Sequence, residues 1–417
     1  MPNRPALSLN PVVQSIPEAL SIAINQIVYD LRRRGEEVAT FSLGEAFFDI
    51  PLFDFSKLDI NKGYHYSDTR GIPELREKIA EYYGKHYSAP VDPDRELLVT
   101  AGSKAAIYMA MLAILQPGDE VLIHEPGWLS YPEQTRLVGA KPGFIPYDVE
   151  VPAFIDYLTP KTKILIINNP NNPSGRVYTY KELETVYELC RSRGIYLMID
   201  EAYSDFVIDT PFTSLAEVVP DKDGIIVINS LSKNMGISGW RIGYAISSPE
   251  LIDTMMKLNQ HLITCAPSIL SYYCATYFDD IINSTLSQAT DVVKKRKRVS
   301  AMIDDLKIER MGGDATFYFM LNIGEFSGTS LEFAVHLLVE ELIAVVPGSA
   351  YGTSSERFIR FGIGTESDET IWEALQIIKQ IIDDPAFDSS ALANKTKKYP
   401  MIAQLLNPGI NKNATAT

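Results

Sequence analysis

The chain has 417 residues, 46 % hydrophobic and 22 % charged, which is the balance of an ordinary globular protein long enough for two packed domains and excludes a disordered or fibrous one. Its 38 basic against 53 acidic side chains give a net charge of -15, which argues against a nucleic-acid partner or an anionic membrane surface. The first twenty residues lack a basic run followed by an apolar core, and no later run is long enough to cross a bilayer, so a cytoplasmic protein without membrane attachment is expected.

In chain order, Pro17 to Gly35 has the apolar spacing of an amphipathic helix. Seven strand-like runs then alternate with helical segments: "LLVT" (97 to 100), "EVLIH" (120 to 124), "PGFIPY" (142 to 147), "KILIIN" (163 to 168), "IYLMID" (195 to 200), "GIIVIN" (224 to 229) and "RIGYAIS" (241 to 247). This alternation predicts an α/β fold with a mostly parallel seven-stranded sheet covered by helices. After a long helical stretch around 268 to 310, strands and helices resume in a new order. The expected organisation is a large domain over 50–295 and a smaller α+β domain built from both chain ends, 1–49 and 296–387. Residues 388–417 lose periodicity and read as an extension, partly mobile at its end. Cys190, Cys265 and Cys274 are scattered without paired spacing, so neither a disulfide framework nor a zinc site is expected.

In open α/β sheets the ligand crevice lies beyond the carboxyl ends of the strands. After "LLVT" comes "AGSK", a turn that leads directly into a helix and aims free backbone N–H groups at an anion. "IYLMID" ends in Asp200, with Tyr203 three residues on, and "NNPNNPSG" presents Asn172 in a turn beyond another buried strand. "GIIVI" is followed by "NSLSKNMGISGWR", which supplies Ser230, Lys233 and Arg241: a hydroxyl and a guanidinium suited to a phosphate, and an amine able to form a Schiff base. Any one of these has an ordinary structural explanation. Together they answer the needs of pyridoxal phosphate, whose aldehyde requires an amine, whose phosphate requires fixed donors, and whose ring nitrogen requires a carboxylate.

From about residue 17 to 383 the sequence resembles fold-type I pyridoxal-phosphate enzymes, specifically the class I/II aminotransferases. The likeness is carried by "SLGEAFFDIP", "YSDTRGIPELR", "TAGSKAA", "EPGWLSYP", "NPNNPSG", "DEAYSDF", "SLSKNMGISGWRIGY", "VVPGSAYG" and "RFIRFGIG". The resemblance implies that Lys233 bonds the cofactor and shuttles the substrate proton, that Asp200 faces the pyridine nitrogen, and that Asn172 and Tyr203 face the phenolic oxygen. It assigns Gly102, Ser103, Lys104, Ser230 and Arg241 to the phosphate and Trp128 to the ring face. It gives Arg360, with Arg357 its nearest competitor, to the substrate carboxylate, and places Gly44 beside it. Tyr66 matches a tyrosine that reaches the phosphate of the neighbouring subunit, so the resemblance also implies a homodimer with shared sites. The implied activity is exchange of an amino group between an L-amino acid and a 2-oxo acid in two half-reactions. Elimination, decarboxylation or oxidation of an amino acid would use the same residues, and a non-catalytic cofactor-binding regulator is the remaining alternative. One departure is Ala46 and Phe47 in "GEAFFD", where many relatives carry Pro and Asp; that loop borders the substrate, which suggests an unusual side-chain preference.

Overall fold

The computed structural model describes residues 7–383, 389–396 and 399–406. Seven strands form its main sheet: β1 (Leu97–Thr100), β2 (Glu120–His124), β3 (Lys141–Ile145), β4 (Thr162–Asn168), β5 (Tyr196–Asp200), β6 (Ile225–Ser230) and β7 (Gly243–Ser247). Their order is β1-β7-β6-β5-β4-β2-β3. All neighbours are parallel except β7, which runs antiparallel to both β1 and β6.

The strands are apolar on both faces because both are covered. Leu197 and Ile199 of β5 point into one core with Leu165, Ile167, Ile225 and Val227, while Met198 points into the other with Ile164, Ile166, Ile226 and Ile228. On the first face lie helices Pro73–His86 and Tyr180–Arg191; on the second lie Ser103–Ile114 and Pro249–Leu262. Each of these fully buried aliphatic side chains contributes about 1.5–3 kcal/mol, so strand residues of this kind dominate the favourable side of folding. Helix Tyr180–Arg191 illustrates the local logic: Thr179 and Glu182 form a reciprocal capping box, and Leu183, Val186 and Cys190 supply the buried stripe. Gly194, at φ +65, then turns the chain into β5.

A third core gathers Phe41, Ala289, Val293, Phe317, Phe319, Phe333, Phe361 and Leu375. It lies under a three-stranded antiparallel sheet of β8 (Tyr318–Asn322), β9 (Val346–Pro347) and β10 (Phe358–Gly362), in the order β9-β10-β8. Both ends of the chain meet here, since Ala39 and Thr40 pair in parallel with Ile343 and Ala344. The helix expected after Pro17 spans Leu20–Arg33 and buries Ile24, Ile27, Val28 and Leu31. Against the same cluster pack Leu392 and Ile402. The C-terminal segment expected to lack periodicity thus forms two short helices, Ser389–Thr396 and Pro400–Leu406, because a few well-spaced apolar residues suffice once a groove receives them. Residues 407–417, the last part of the extension expected to be partly mobile at its end, lie outside the described residues.

Candidate functional site

Asn168, Asp200 and Ser230 are the last residues of β4, β5 and β6, so the parallel register brings them to one edge. They open onto a cavity of ≈ 660 Å³ whose wall also includes Gly44, Ser103, Lys104, Trp128, Tyr131, Asn172, Tyr203, Lys233, Arg241, Tyr318 and Arg360. Of the residues that the resemblance assigns to cofactor and substrate, this cavity gathers all but Gly102 and Tyr66; Arg357, Ala46 and Phe47 also lie outside its wall. Gly102 lies immediately behind the wall as N-cap of helix Ser103–Ile114. Tyr66 is 85 % exposed and away from the cavity of its own chain.

Lys233 sits on a one-turn helix, Leu231–Asn234, that Ser230 caps. Its Nζ donates to the Gly44 carbonyl at 2.6 Å and lies 5.7 Å from the Tyr203 ring centroid. Burial lowers its pKa to about 8; the Glu45 carboxylate partly opposes this, and Arg360 adds to it. The result is an amine with a substantial neutral fraction near neutral pH, as a nucleophile or proton acceptor requires. Glu45 is itself tied to the Ser238 hydroxyl.

Asp200 is buried, and burial pushes its carboxyl up. Two donors compensate: the Tyr131 hydroxyl on Oδ2 at 2.7 Å and the Ala202 N–H on Oδ1 at 3.1 Å. A carboxylate held this way is prepared for a cationic or N–H partner inside the cavity. Behind it, Asn168 Nδ2 donates to the Asp200 carbonyl at 2.7 Å, and Asn168 Oδ1 accepts the Asn172 N–H at 2.5 Å. Asn172 Nδ2 then donates to the Tyr203 hydroxyl at 3.3 Å, which lies 2.9 Å from the Tyr318 hydroxyl. Burial keeps the Tyr203 hydroxyl protonated, and Asn172 Oδ1 is buried without a partner among the described residues.

The far end of the cavity is built for an anion. Gly102 has φ +85 and no side chain caps the helix it opens, so the N–H groups of the first turn are available. A Cβ at Gly102 would collide with Arg241 Nη2, which packs directly over this helix end. Arg241 takes the left-handed conformation, φ 58 and ψ 57, and anchors Nη1 on the Ser238 carbonyl at 2.8 Å. The Ser230 hydroxyl lies 2.7 Å from Ser232 Oγ. Lys104 holds Nζ 4.9 Å from the Trp128 ring centroid, and burial, with Arg241 nearby, pulls its pKa down. Helix end, guanidinium, hydroxyl and amine together present the donors that a phosphate would need.

Arg360 is 4 % exposed. Its Nη2 donates to the Ser42 carbonyl at 2.6 Å, and its guanidinium lies 4.6 Å from the Tyr318 centroid and 5.3 Å from that of Tyr351. Among the described residues Nε is buried without a partner, which leaves donor capacity for a carboxylate. Arg357 is committed elsewhere, to the carbonyls of Gly324, Phe326 and Gly328. Ala46 and Phe47 line a smaller cavity on the other side of Lys233 with Phe206 and Phe317.

Tyr131 and Tyr318 are site residues that the sequence reading missed. Tyr131 stands three residues after Trp128 in "EPGWLSYP", and that spacing was the available signal. Tyr318 offered none, because its neighbours Phe317 and Phe319 are equally aromatic and only the pleat of β8 decides which ring faces the cavity.

The family model "Aminotransferase class I and II" matches residues 54–378. An aspartate aminotransferase of Thermotoga maritima is 33 % identical over 89 % of this chain and 98 % of its own. A (5-formylfuran-3-yl)methyl phosphate transaminase of Methanocaldococcus jannaschii is 34 % identical over 85 % of this chain and 94 % of its own. Among solved structures, the aspartate aminotransferase of Thermus thermophilus with maleate superposes with a TM-score of 0.83 at 27 % identity, covering 90 % of this chain and all of that one.

Proposed function

The chain belongs to the class I and II aminotransferase family and transfers amino groups, and from that premise we propose that it works with pyridoxal 5'-phosphate, on an L-amino acid and a 2-oxo acid, as a homodimer with shared sites. One observation carries this reading: a buried amine, a buried carboxylate at a strand end and a cationic cradle on a helix N-terminus converge in one cavity.

The residues present fit that cofactor. The uncapped helix end with Arg241, Ser230, Ser103 and Lys104 matches a phosphate, and Gly102 lets Arg241 approach the helix. Asp200 matches the ring nitrogen, Asn172 and Tyr203 the phenolic oxygen, and Trp128 a ring face. When bound, pyridoxal phosphate supplies an aldehyde carbon that bonds the amino group and a pyridine ring that withdraws electrons from the substrate Cα–H bond.

The protein's own groups do the rest. Lys233 Nζ takes the proton from the substrate Cα and holds it for return, which its lowered pKa permits. Asp200 stays a hydrogen-bond acceptor toward the ring because Tyr131 and the Ala202 N–H satisfy its other lone pairs. Arg360 grips the substrate carboxylate with a planar fork that fixes orientation as well as position, with the Gly44 backbone beside it. Tyr66 reaches the phosphate of the partner subunit, which accounts for its exposure in a single chain.

The test is to mix the cofactor-loaded protein with acidic, aromatic and neutral amino acids and to follow the cofactor's visible absorbance, with and without added 2-oxo acids. Absorbance is expected to fall with the preferred amino acid and to recover with an oxo acid, without ammonia release. Ammonia release would indicate elimination or oxidation instead, and no response to any amine would overturn the reading.

A further inference from the structure

Helix Phe278–Asp305 buries a cation, Arg296, to 2 % exposure. Its side-chain hydrogen bonds go to three backbone carbonyls: Tyr318, Ser174 at 3.2 Å and Gly313 at 2.6 Å. No carboxylate pairs with it among the described residues, and its guanidinium lies 4.1 Å from the Phe319 ring centroid. Burial pulls its pKa down, but a guanidinium stays charged in proteins. Asp314 favours its charge from beyond ion-pair distance, but a buried cation held by backbone carbonyls is still costly, so the three contacts call for an explanation beyond packing.

The three carbonyls explain it. Ser174 belongs to the turn that carries Asn172, Tyr318 opens β8, and Gly313 lies on the loop that leads from helix Phe278–Asp305 into β8. The Ala315 N–H donates to the Gly175 carbonyl at 3.0 Å, and the Thr316 N–H to the Phe206 carbonyl at 2.9 Å, close to Tyr203. Gly175 and Gly313 touch backbone to backbone, and a Cβ on Gly175 would come 2.6 Å from Arg296 Nη2. Arg296 therefore clamps the segments that hold both ends of the Asn172–Tyr203–Tyr318 chain of polar groups.

We infer that Arg296 is a positioning residue, which fixes the spacing of the Asn172, Tyr203 and Tyr318 groups and thereby sets how strongly the site stabilises negative charge on the oxygen they face. It rests on the pyridoxal-phosphate reading, because that oxygen is the cofactor's.

The experiment compares Arg296→Lys with the unaltered protein, both loaded with pyridoxal phosphate. A lysine keeps the charge but cannot span three carbonyls. The pH midpoint of the cofactor's visible absorbance is expected to rise by about half a unit or more, since weaker donors hold the anionic oxygen less well. The kcat should fall about tenfold or more while KM for the amino acid stays within about threefold, because Arg360 keeps its own contacts. Tyr318→Phe should move the midpoint the same way, and the double variant no further than the larger single shift. An unmoved midpoint in folded Arg296→Lys, even with a lower melting temperature of the cofactor-free protein, would overturn the inference and leave the arginine a packing element. If Arg296→Lys does not fold, Gly313→Ala carries the same test, because its Cβ would force the two glycine segments apart; an unmoved midpoint there is equally fatal. A normal spectrum in the unaltered protein with unmoved variants sinks only the role of Arg296, whereas no cofactor spectrum at all sinks the functional reading with it.

Discussion

At the scale of single residues, function turns on making ordinary groups unusual. An exposed lysine is almost wholly protonated at neutral pH, whereas burial brings Lys233 from 10.5 down to about 8. In cofactor-free protein, reductive methylation should therefore modify Lys233 half-maximally near pH 8, with peptide mass spectrometry reading each site. The neutral fraction grows as pH rises through the pKa, so an exposed lysine held above its ordinary value, such as Lys181 beside Glu184, should follow only at higher pH. Glu45→Gln should move the Lys233 midpoint further down, because the carboxylate raises it. A Lys233 midpoint matching that of the exposed lysines would contradict the picture. Arg360 makes the complementary case, a charge whose fork matters more than its sign. With Nη2 on Ser42 and Nε unpartnered, Arg360→Lys loses the two-pronged grip and leaves the site short of donors. The kcat/KM for amino acids should fall by the equivalent of about 2–5 kcal/mol. Affinity for pyridoxal phosphate, measured by absorbance titration, should change little, since Arg360 stands on β10 of the three-stranded sheet and not on the main-sheet ends that carry the phosphate donors.

At the scale of elements, the site is an accident of strand ends turned to use. The N-terminus of helix Ser103–Ile114 can meet an anion only because Gly102 takes φ +85. Gly102→Ala would place an alanine in a conformation that costs about 1–3 kcal/mol and push Arg241 off the helix end. Affinity for pyridoxal phosphate should drop by about tenfold or more, with the circular-dichroism spectrum retained; an unchanged affinity would remove this helix end from the phosphate site. Much of this scale was legible in the sequence. Seven apolar runs gave the seven strands, because strands covered on both faces must be continuously apolar, and Asp200 and Lys233 could be placed because each closely follows such a run. Less could be read where partners are remote. That β7 inserts antiparallel between β1 and β6 depends on pairing, which no local pattern encodes. Tyr131 was legible only through its spacing from Trp128, and Tyr318 not at all, because its facing is set by the pleat of β8, which follows the positive-φ Thr316. The helices at 389–406 were missed because their few apolar residues mean little until the groove beside Ile24 and Leu338 exists.

At the scale of the whole molecule, the single chain looks unfinished at its N-terminal side. Leu7, Leu9, Leu52, Tyr64 and Tyr66 are between 74 % and 101 % exposed, a costly display of apolar surface for a monomer. All of them lie before the main sheet begins, on the segments that flank the cavity-lining loop at Gly44 and Glu45. A two-fold dimer would cover such a surface with its own copy and carry Tyr66 to the neighbour's phosphate cradle. The consequence is genetic as well as structural: each site would need Lys233 from one subunit and Tyr66 from the other. Lys233→Ala alone should be inactive, and Tyr66→Ala alone should hold the cofactor weakly. When the two are unfolded together and refolded as a mixture, half of the dimers are mixed, and in each of these one site regains both residues. Activity at limiting cofactor should then return to about a quarter of that of the unaltered protein, against almost none for the two variants refolded apart. Sedimentation of the same samples reports whether dimers form, so a dimeric mixture without recovered activity would show that Tyr66 acts within its own chain or not at all.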